Sequence, residues 1–247
     1  IQYTEPINTT PMVNCKESIF GQSSIFLHRD NGRGLRYYLG ALQCEARKGG
    51  FPMTVREVAK PTTRHPLTVD IYAQMVENGI LGEDARVELL NGALFDMSPI
   101  GSRHAAIVDR LNFLLGRAHG QEIIIRIQNP VQLSPVSLPQ PDVVLLRQRD
   151  DFYAEAHPGP ADVLLLIEVA DSSLAYDTEE KLPAYAAAGI PEVWIINLND
   201  DCIDRHLTPD AQGYRLRERL RPGDDLTPTL LPAITLQVTK ILGSDSK

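Results

Sequence analysis

Glu168 is the residue in this chain most in need of a chemical explanation. It follows five consecutive apolar residues, Val163-Leu164-Leu165-Leu166-Ile167, and a carboxylate at the end of a buried run is unfavourable unless something pairs with it. Asp142, after Pro139-Gln140-Pro141, opens the next strand upstream. Two acids at the ends of adjacent strands repel unless a cation lies between them. A hard divalent ion such as Mg²⁺ resolves the repulsion with oxygen ligands and few protein groups. Helix capping, or pairing with Arg147 or Arg103, is the alternative. Lys181 is expected in the first turn of the helix after Glu168, where its charge opposes the helix dipole. A partner elsewhere would explain it; a solvated surface lysine is the other reading. Tyr185, four residues on, shares its helix face. His104 sits at the edge of an apolar helical stripe, either facing a substrate phosphate or half-buried and satisfied. Glu88, in Val87-Glu88-Leu89-Leu90, is either a third carboxylate of the same cleft or an outward strand residue.

These side chains need elements to hold them. Thr68-Val69-Asp70 opens a helix to about Asn78, stopped by Gly79. Val87–Leu90 and Ala93–Met97 around Asn91-Gly92 predict a β-hairpin, since both turn residues tolerate positive φ. Ser102 is expected to cap a helix to about Ala118 with its stripe at Ile107, Val108, Leu111, Leu114 and Leu115. Strands are expected at Glu122–Leu133, Asp142–Leu146 and Val163–Val169, the last covered on both faces. Asp177 and Glu180 have the layout of a capping box, opening a helix to Ala188 that Gly189 ends. Val193–Leu198 is a further buried strand. Cys202–Leu207 with Tyr214–Leu220 forms a half-exposed hairpin, and Leu236–Leu242 is a short closing helix. The order implies a mixed α/β sheet with helices on its faces.

The 247 residues are 43% hydrophobic and 23% charged, the proportions of an ordinary globular protein. Cys15, Cys44 and Cys202 are odd in number and show no zinc spacing. A reducing, cytoplasmic setting follows as the expectation. No run approaches the roughly 20 apolar residues of a membrane span. Residues 1–52 lack a sustained period and read as upstream translation or a loosely ordered extension, with the natural start at Met53; a genuine N-terminal arm is the alternative. Residues 53–247 form the folded domain. The net charge is -8, which argues against a nucleic-acid binder unless the acids gather at a metal site. Without the first 52 residues the balance is 18 basic to 28 acidic. No Gly-x-x-x-x-Gly-Lys phosphate loop and no Gly-x-Ser-x-Gly elbow occurs. Arg215, Arg217, Arg219 and Arg221 alternate on one strand face; with Glu218 and Asp224-Asp225 nearby they read as a charged edge strand, and a face tracking a phosphate backbone is the alternative.

From about Leu67 onward the chain resembles the Uma-type family of restriction-endonuclease-like proteins, within the PD-(D/E)xK nuclease superfamily. The stretches that carry the resemblance are Arg86-Val87-Glu88-Leu89-Leu90-Asn91-Gly92, Met97-Ser98-Pro99 with His104, Pro141-Asp142-Val143-Val144, Ile167-Glu168-Val169-Ala170-Asp171-Ser172-Ser173-Leu174, Asp177 with Lys181 and Tyr185, and Gly189-Ile190-Pro191-Glu192-Val193-Trp194-Ile195-Ile196. The superfamily's lysine normally lies two residues after the second acid. Here that residue is Ala170, and Lys181 is the natural replacement. The resemblance implies hydrolysis of DNA phosphodiester bonds. Asp142 and Glu168, with the backbone of Val169, would hold Mg²⁺ or Mn²⁺; Lys181 would stabilise charge; Glu88 would help activate water; and His104 and Tyr185 would meet the substrate. A homodimer would supply two active sites for two strands. The rival reading is a catalytically inactive nuclease fold serving as an interaction or nucleic-acid-binding module, and the acidic balance favours it.

Overall fold

The computed structural model describes residues 65–82, 84–118 and 123–243, together with the backbone of four earlier strands. The chain divides into two units, 1–64 and 65–247. In the first, β1 (Ile25–Asp30), β2 (Gly34–Leu39), β3 (Leu42–Glu45) and β4 (Val55–Glu57) form an antiparallel sheet in chain order. The expected start at Met53 lies outside the described residues.

The second unit opens with α1 (Val69–Glu77), where the Thr68 hydroxyl accepts from the Ile71 N–H at 3.2 Å. The hairpin follows as β5 (Val87–Leu90) and β6 (Ala93–Asp96). Asn91 and Gly92 have φ of 50° and 74°, the paired left-handed conformation that Asn-Gly accepts and most residues resist. The turn is also crowded: a Cβ on Gly92 would lie 2.2 Å from the Pro66 Cβ. Gly92→Ala is therefore expected to destabilise the protein by more than about 1 kcal/mol, read as a lower urea midpoint. An unchanged midpoint would show that the loop yields freely.

Next comes α2 (Ser102–Ala118). Its first backbone bond runs from Ala105 N–H to Gly101 C=O at 3.0 Å, so Gly101, not Ser102, holds the cap position. The sheet comprises β7 (Ile123–Ile127), β8 (Val143–Arg147), β9 (Val163–Ala170), β10 (Glu192–Asn197), β11 (Cys202–Asp210) and β12 (Gly213–Leu220). It is six-stranded, in the order β12-β11-β10-β9-β8-β7. Only the β9–β10 pair is parallel, because a helical crossover joins those two strands. A short pair, β13 (Asp225–Leu226) and β14 (Leu236–Gln237), leads into α5 (Val238–Leu242). The single closing helix expected over Leu236–Leu242 thus begins as a strand.

Alternation along the central strands divides the core. Val143, Leu145, Leu165, Ile167 and Val169 pack with Ile107 and Leu111 of α2. Val144, Leu146, Leu166 and Ala170 pack on the other side with Tyr185 and Ile190. Period two therefore sends Glu168, between Ile167 and Val169, to the face of Tyr185 and away from α2. Every residue of β9 is buried, as a strand covered on both faces requires.

Two further expectations are corrected. The strand expected over Glu122–Leu133 stops at Ile127 because Gln128 turns out of it with φ 50°. The segment beyond it anchors the hairpin, with Leu138 N–H donating to Leu89 C=O at 2.7 Å. The second correction concerns the crossover. Asp177 is not a helix cap. The helical path begins at α3 (Leu174–Tyr176), widens into a π-helical turn over Asp177–Lys181, and continues as α4 (Leu182–Ala187). The Leu182 N–H reaches back five residues to the Asp177 C=O. Pro183 supplies the reason: it has no N–H to donate and its ring crowds the carbonyl of Glu179, four residues earlier. Widened turns of this kind recur at functional sites.

Candidate active site

Residues from five separate pieces of chain line one cleft: Glu88 from β5, His104 from α2, Asp142 from the start of β8, Glu168 from β9, and Asp177 and Lys181 from the π-turn. Lys181 is therefore not in the first turn of a helix, and the dipole does not oppose it. The widened turn points it inward together with Asp177.

The Lys181 ammonium is the hub. It lies 2.9 Å from Glu168 Oε1, 3.4 Å from Glu88 Oε1 and 4.0 Å from Asp177 Oδ1. Glu88, Glu168, Asp177 and Lys181 are 3%, 2%, 4% and 4% exposed. Three carboxylates thus face one ammonium where water cannot screen them. Neither Arg147 nor Arg103 pairs with Glu168 or Asp142. Arg147 donates to the Ala161 carbonyl, and Arg103 to the Leu198 carbonyl and to Asp201.

Further bonds orient the acids. Tyr185 donates to Glu168 Oε1 at 2.5 Å. It is fully buried and faces Glu168 from the core, not from the cleft. The Asp142 N–H donates to Glu168 Oε2 across a longer 3.4 Å. Asp142 Oδ2 meets His104 Nε2 at 3.0 Å and the Val169 N–H at 2.9 Å, while Gln128 donates to Oδ1 at 3.2 Å. Gln140 N–H donates to Glu88 Oε2 at 2.8 Å, and Ser173 to Asp177 Oδ2 at 2.7 Å. His104 is thus the partner of Asp142, and Val169 meets the site through its N–H.

Burial lifts the Glu168 carboxyl to about 8; Lys181 opposes that rise, and Asp177, Asp142 and Glu88 add to it. Burial likewise brings Asp177 to about 6, against the pull of Lys181. Burial works against the Lys181 charge, but Glu168, Glu88 and Asp177 outweigh it and hold the amine protonated. Burial alone would raise Asp142; its bonds from His104, Val169 and Gln128 hold it low instead. Its hydrogen bond to Asp142 raises His104 despite burial. Both shifts favour the charged forms of the Asp142–His104 dyad, and the deeper cluster sets three carboxyl groups against one lysine.

This excess is what a cation would relieve, and the oxygens leave room for one. Glu168 Oε2 has only the long Asp142 contact, and Asp142 Oδ1 has one donor, so each keeps lone-pair capacity. Among the described residues no three His, Cys, Asp or Glu side chains stand in a ready metal-holding arrangement. An ion such as Mg²⁺ takes one or two carboxylates and keeps several waters.

Sequence reasoning missed the inward role of Asp177, although its spacing of four from Lys181 was a usable signal. It also missed Gln128, Gln140 and Tyr176, which share the cleft lining. Gln128 carried no signal, because a continuing strand was expected there. The arginines of β12 are engaged elsewhere: Arg217 and Arg219 hold Asp204 at 2.7 to 2.8 Å, and Arg215 pairs with Asp210.

The family model of Uma2, described as "Putative restriction endonuclease", matches residues 69–239. A crystal structure from Anabaena variabilis ATCC 29413, described as "a putative nuclease belonging to DUF820", matches with a TM-score of 0.55 at 13% identity. That match covers 72% of this chain and 98% of that one. At such identity it speaks to the fold alone, a mixed sheet flanked by helices. No curated protein matches. No helix among the described residues is long and apolar enough to cross a membrane.

Proposed function

Because this chain belongs to the Uma2 family, we propose that its acidic cleft is the active site of a divalent-cation-dependent endonuclease acting on DNA, with the Asp142–Glu168–Lys181 constellation of the PD-(D/E)xK superfamily. The observation that carries the reading is the convergence of Glu168, Asp142 and Lys181, from three separate elements, around a buried surplus of acidic groups. Ala170 stands where the superfamily lysine would be. Lys181 approaches the same acid from the π-turn, its ammonium 2.9 Å from Glu168.

Mg²⁺ or Mn²⁺ held by Asp142 and Glu168, with the backbone carbonyl of Val169, would supply positive charge to the phosphate and acidify a bound water. The chain's own groups do the rest. His104, Val169 N–H and Gln128 hold Asp142 ionised and aimed. Tyr185 fixes the Glu168 carboxylate from behind. Lys181, kept charged by its three acids, stands to offset the negative charge that develops on the phosphate. Glu88 positions Lys181 and is the nearest further acid for activating water. A homodimer in the reducing cytoplasm would bring two such clefts to two strands.

Cleavage of supercoiled plasmid in Mg²⁺ or Mn²⁺ tests this. The intact chain is expected to nick the plasmid, chelation to stop it, and Asp142→Asn to lose metal-dependent cleavage while keeping the thermal midpoint of the parent. Cleavage that persists in Asp142→Asn would assign the activity to another site. The acidic balance of residues 53–247 keeps the non-catalytic module as the second reading. It would be supported by DNA or protein binding with no cleavage under any divalent ion.

A further inference from the structure

Beside the acidic cleft lies a pocket of about 190 Å³, where an ordered water needs only about 10–15 Å³. Arg86, Met97, Gln128 and Gln140 line both spaces, so the two adjoin as compartments of one trough. Its chemistry changes along its length. The cleft is walled by carboxylates, whereas Ala85, Arg86, Val87, Met97, Gln128 and Gln140 line the pocket without one.

Arg86 is placed to use this change. Met97 N–H donates to its carbonyl at 2.8 Å, extending the hairpin ladder by one pair beyond Val87. In that extended register Arg86 and Glu88 fall on the same side, and Glu88 reaches Lys181 in the cleft. Arg103, Arg205, Arg215, Arg217 and Arg219 are each paired with carboxylates. Among the described residues Arg86 forms no ion pair, as is true of Arg110, Arg117, Arg126, Arg147 and Arg221, but of these it alone lines the cleft and the pocket. Opposite it, Gln128 is held in a left-handed backbone, φ 50°, by two bonds to Asp142: its N–H to the Asp142 carbonyl at 3.0 Å and its amide to Oδ1 at 3.2 Å. A non-glycine residue in that conformation is strained, and such strain collects at ligand sites. Gln140 is tied in turn to Glu88.

We infer that the pocket walled by Arg86, Gln128 and Gln140 is the subsite for the nucleotide flanking the scissile phosphate, with the Arg86 guanidinium taking that nucleotide's phosphate. The inference rests on the nuclease reading and names the substrate contact that reading leaves open. A guanidinium suits phosphate through its paired N–H donors, and the two amides offer neutral donors and acceptors to a base or sugar. The trough then has one end that attracts cations and one that attracts the polyanion, so an acidic protein can hold DNA at this point.

The test is anisotropy of a labelled DNA duplex with Ca²⁺ replacing Mg²⁺, over a salt series, with the full chain. Arg86→Ala is expected to weaken binding about tenfold, alike for unrelated sequences, and to reduce the salt slope by about 0.9, one phosphate contact. Arg86→Lys should keep most of that slope. Arg117→Ala, about 20 Å along α2 from His104 at 1.5 Å per residue, should change neither. In cleavage, Arg86→Ala should raise KM and leave kcat nearly intact. Unchanged affinity and slope in Arg86→Ala, with wild type binding normally, would overturn the subsite and leave the nuclease reading standing. Wild type that neither binds nor cuts DNA would overturn both.

Discussion

Glu168→Gln is expected to reduce DNA cleavage at least about 100-fold, the order seen when one preorganised charge-stabilising group is removed, without unfolding the protein. The amide is nearly isosteric, keeps an oxygen for the Tyr185 hydroxyl, and leaves Lys181 with Glu88 and Asp177. The same variant should change the pH response of the metal-free protein. Glu168 holds its proton up to about 8 in the fold, against an ordinary 4.5. Between those values the native state keeps a proton that the unfolded chain has released. Stability therefore falls as pH rises through this window. In Glu168→Gln that contribution is gone, and the thermal midpoint should decline less between pH 5 and 8. Asp177, raised to about 6, keeps a smaller decline in the lower half of the window. Full cleavage by the variant would remove Glu168 from the chemistry. An identical midpoint-versus-pH curve would remove it from the pH response.

Lys181→Met carries the largest expected loss of stability. Lys181 is 4% exposed, and its ammonium lies within 2.9 to 4.0 Å of three carboxylates. Removing it leaves buried like charges with no counterion, a change on the order of 3–5 kcal/mol. The loss should be greatest above about pH 8, where Glu168 is ionised, and smaller below it, where Glu168 holds its proton. Adding Glu168→Gln to the same chain should therefore recover much of the loss above about pH 8, a coupling that a double-mutant cycle in urea measures. Additive losses, or a Lys181→Met protein as stable as its parent, would show that the lysine is not the counterion of this cluster. Millimolar Mg²⁺ should stabilise the single variant more than wild type, because the cleft then lacks its own cation.

Much of the fold was legible in the sequence because it rests on local periodicity. The apolar run before Glu168, the Asn91-Gly92 turn and the stripe of α2 each state their structure in a few neighbouring residues. The boundary errors fell where tertiary contacts outweigh local pattern. β7 ends at Ile127 because Gln128 bends to bond Asp142, which lies 14 residues away. The crossover helix begins earlier than its capping pattern suggests and swells at Pro183.

Taken by itself, the chain determined the sheet's central strands, the two acids at their ends, and a lysine missing from Ala170 and offered at residue 181. Those are properties of residue type and short spacing. Only the tertiary structure decided which acids share a space with Lys181. Alternation turns Glu168 towards Tyr185, and the π-turn rotates Asp177 and Lys181 into the same cleft. Glu88 arrives from a hairpin 80 residues away in sequence from Glu168. A buried charge is set by what surrounds it in space, and that neighbourhood is assembled from segments that no local pattern connects.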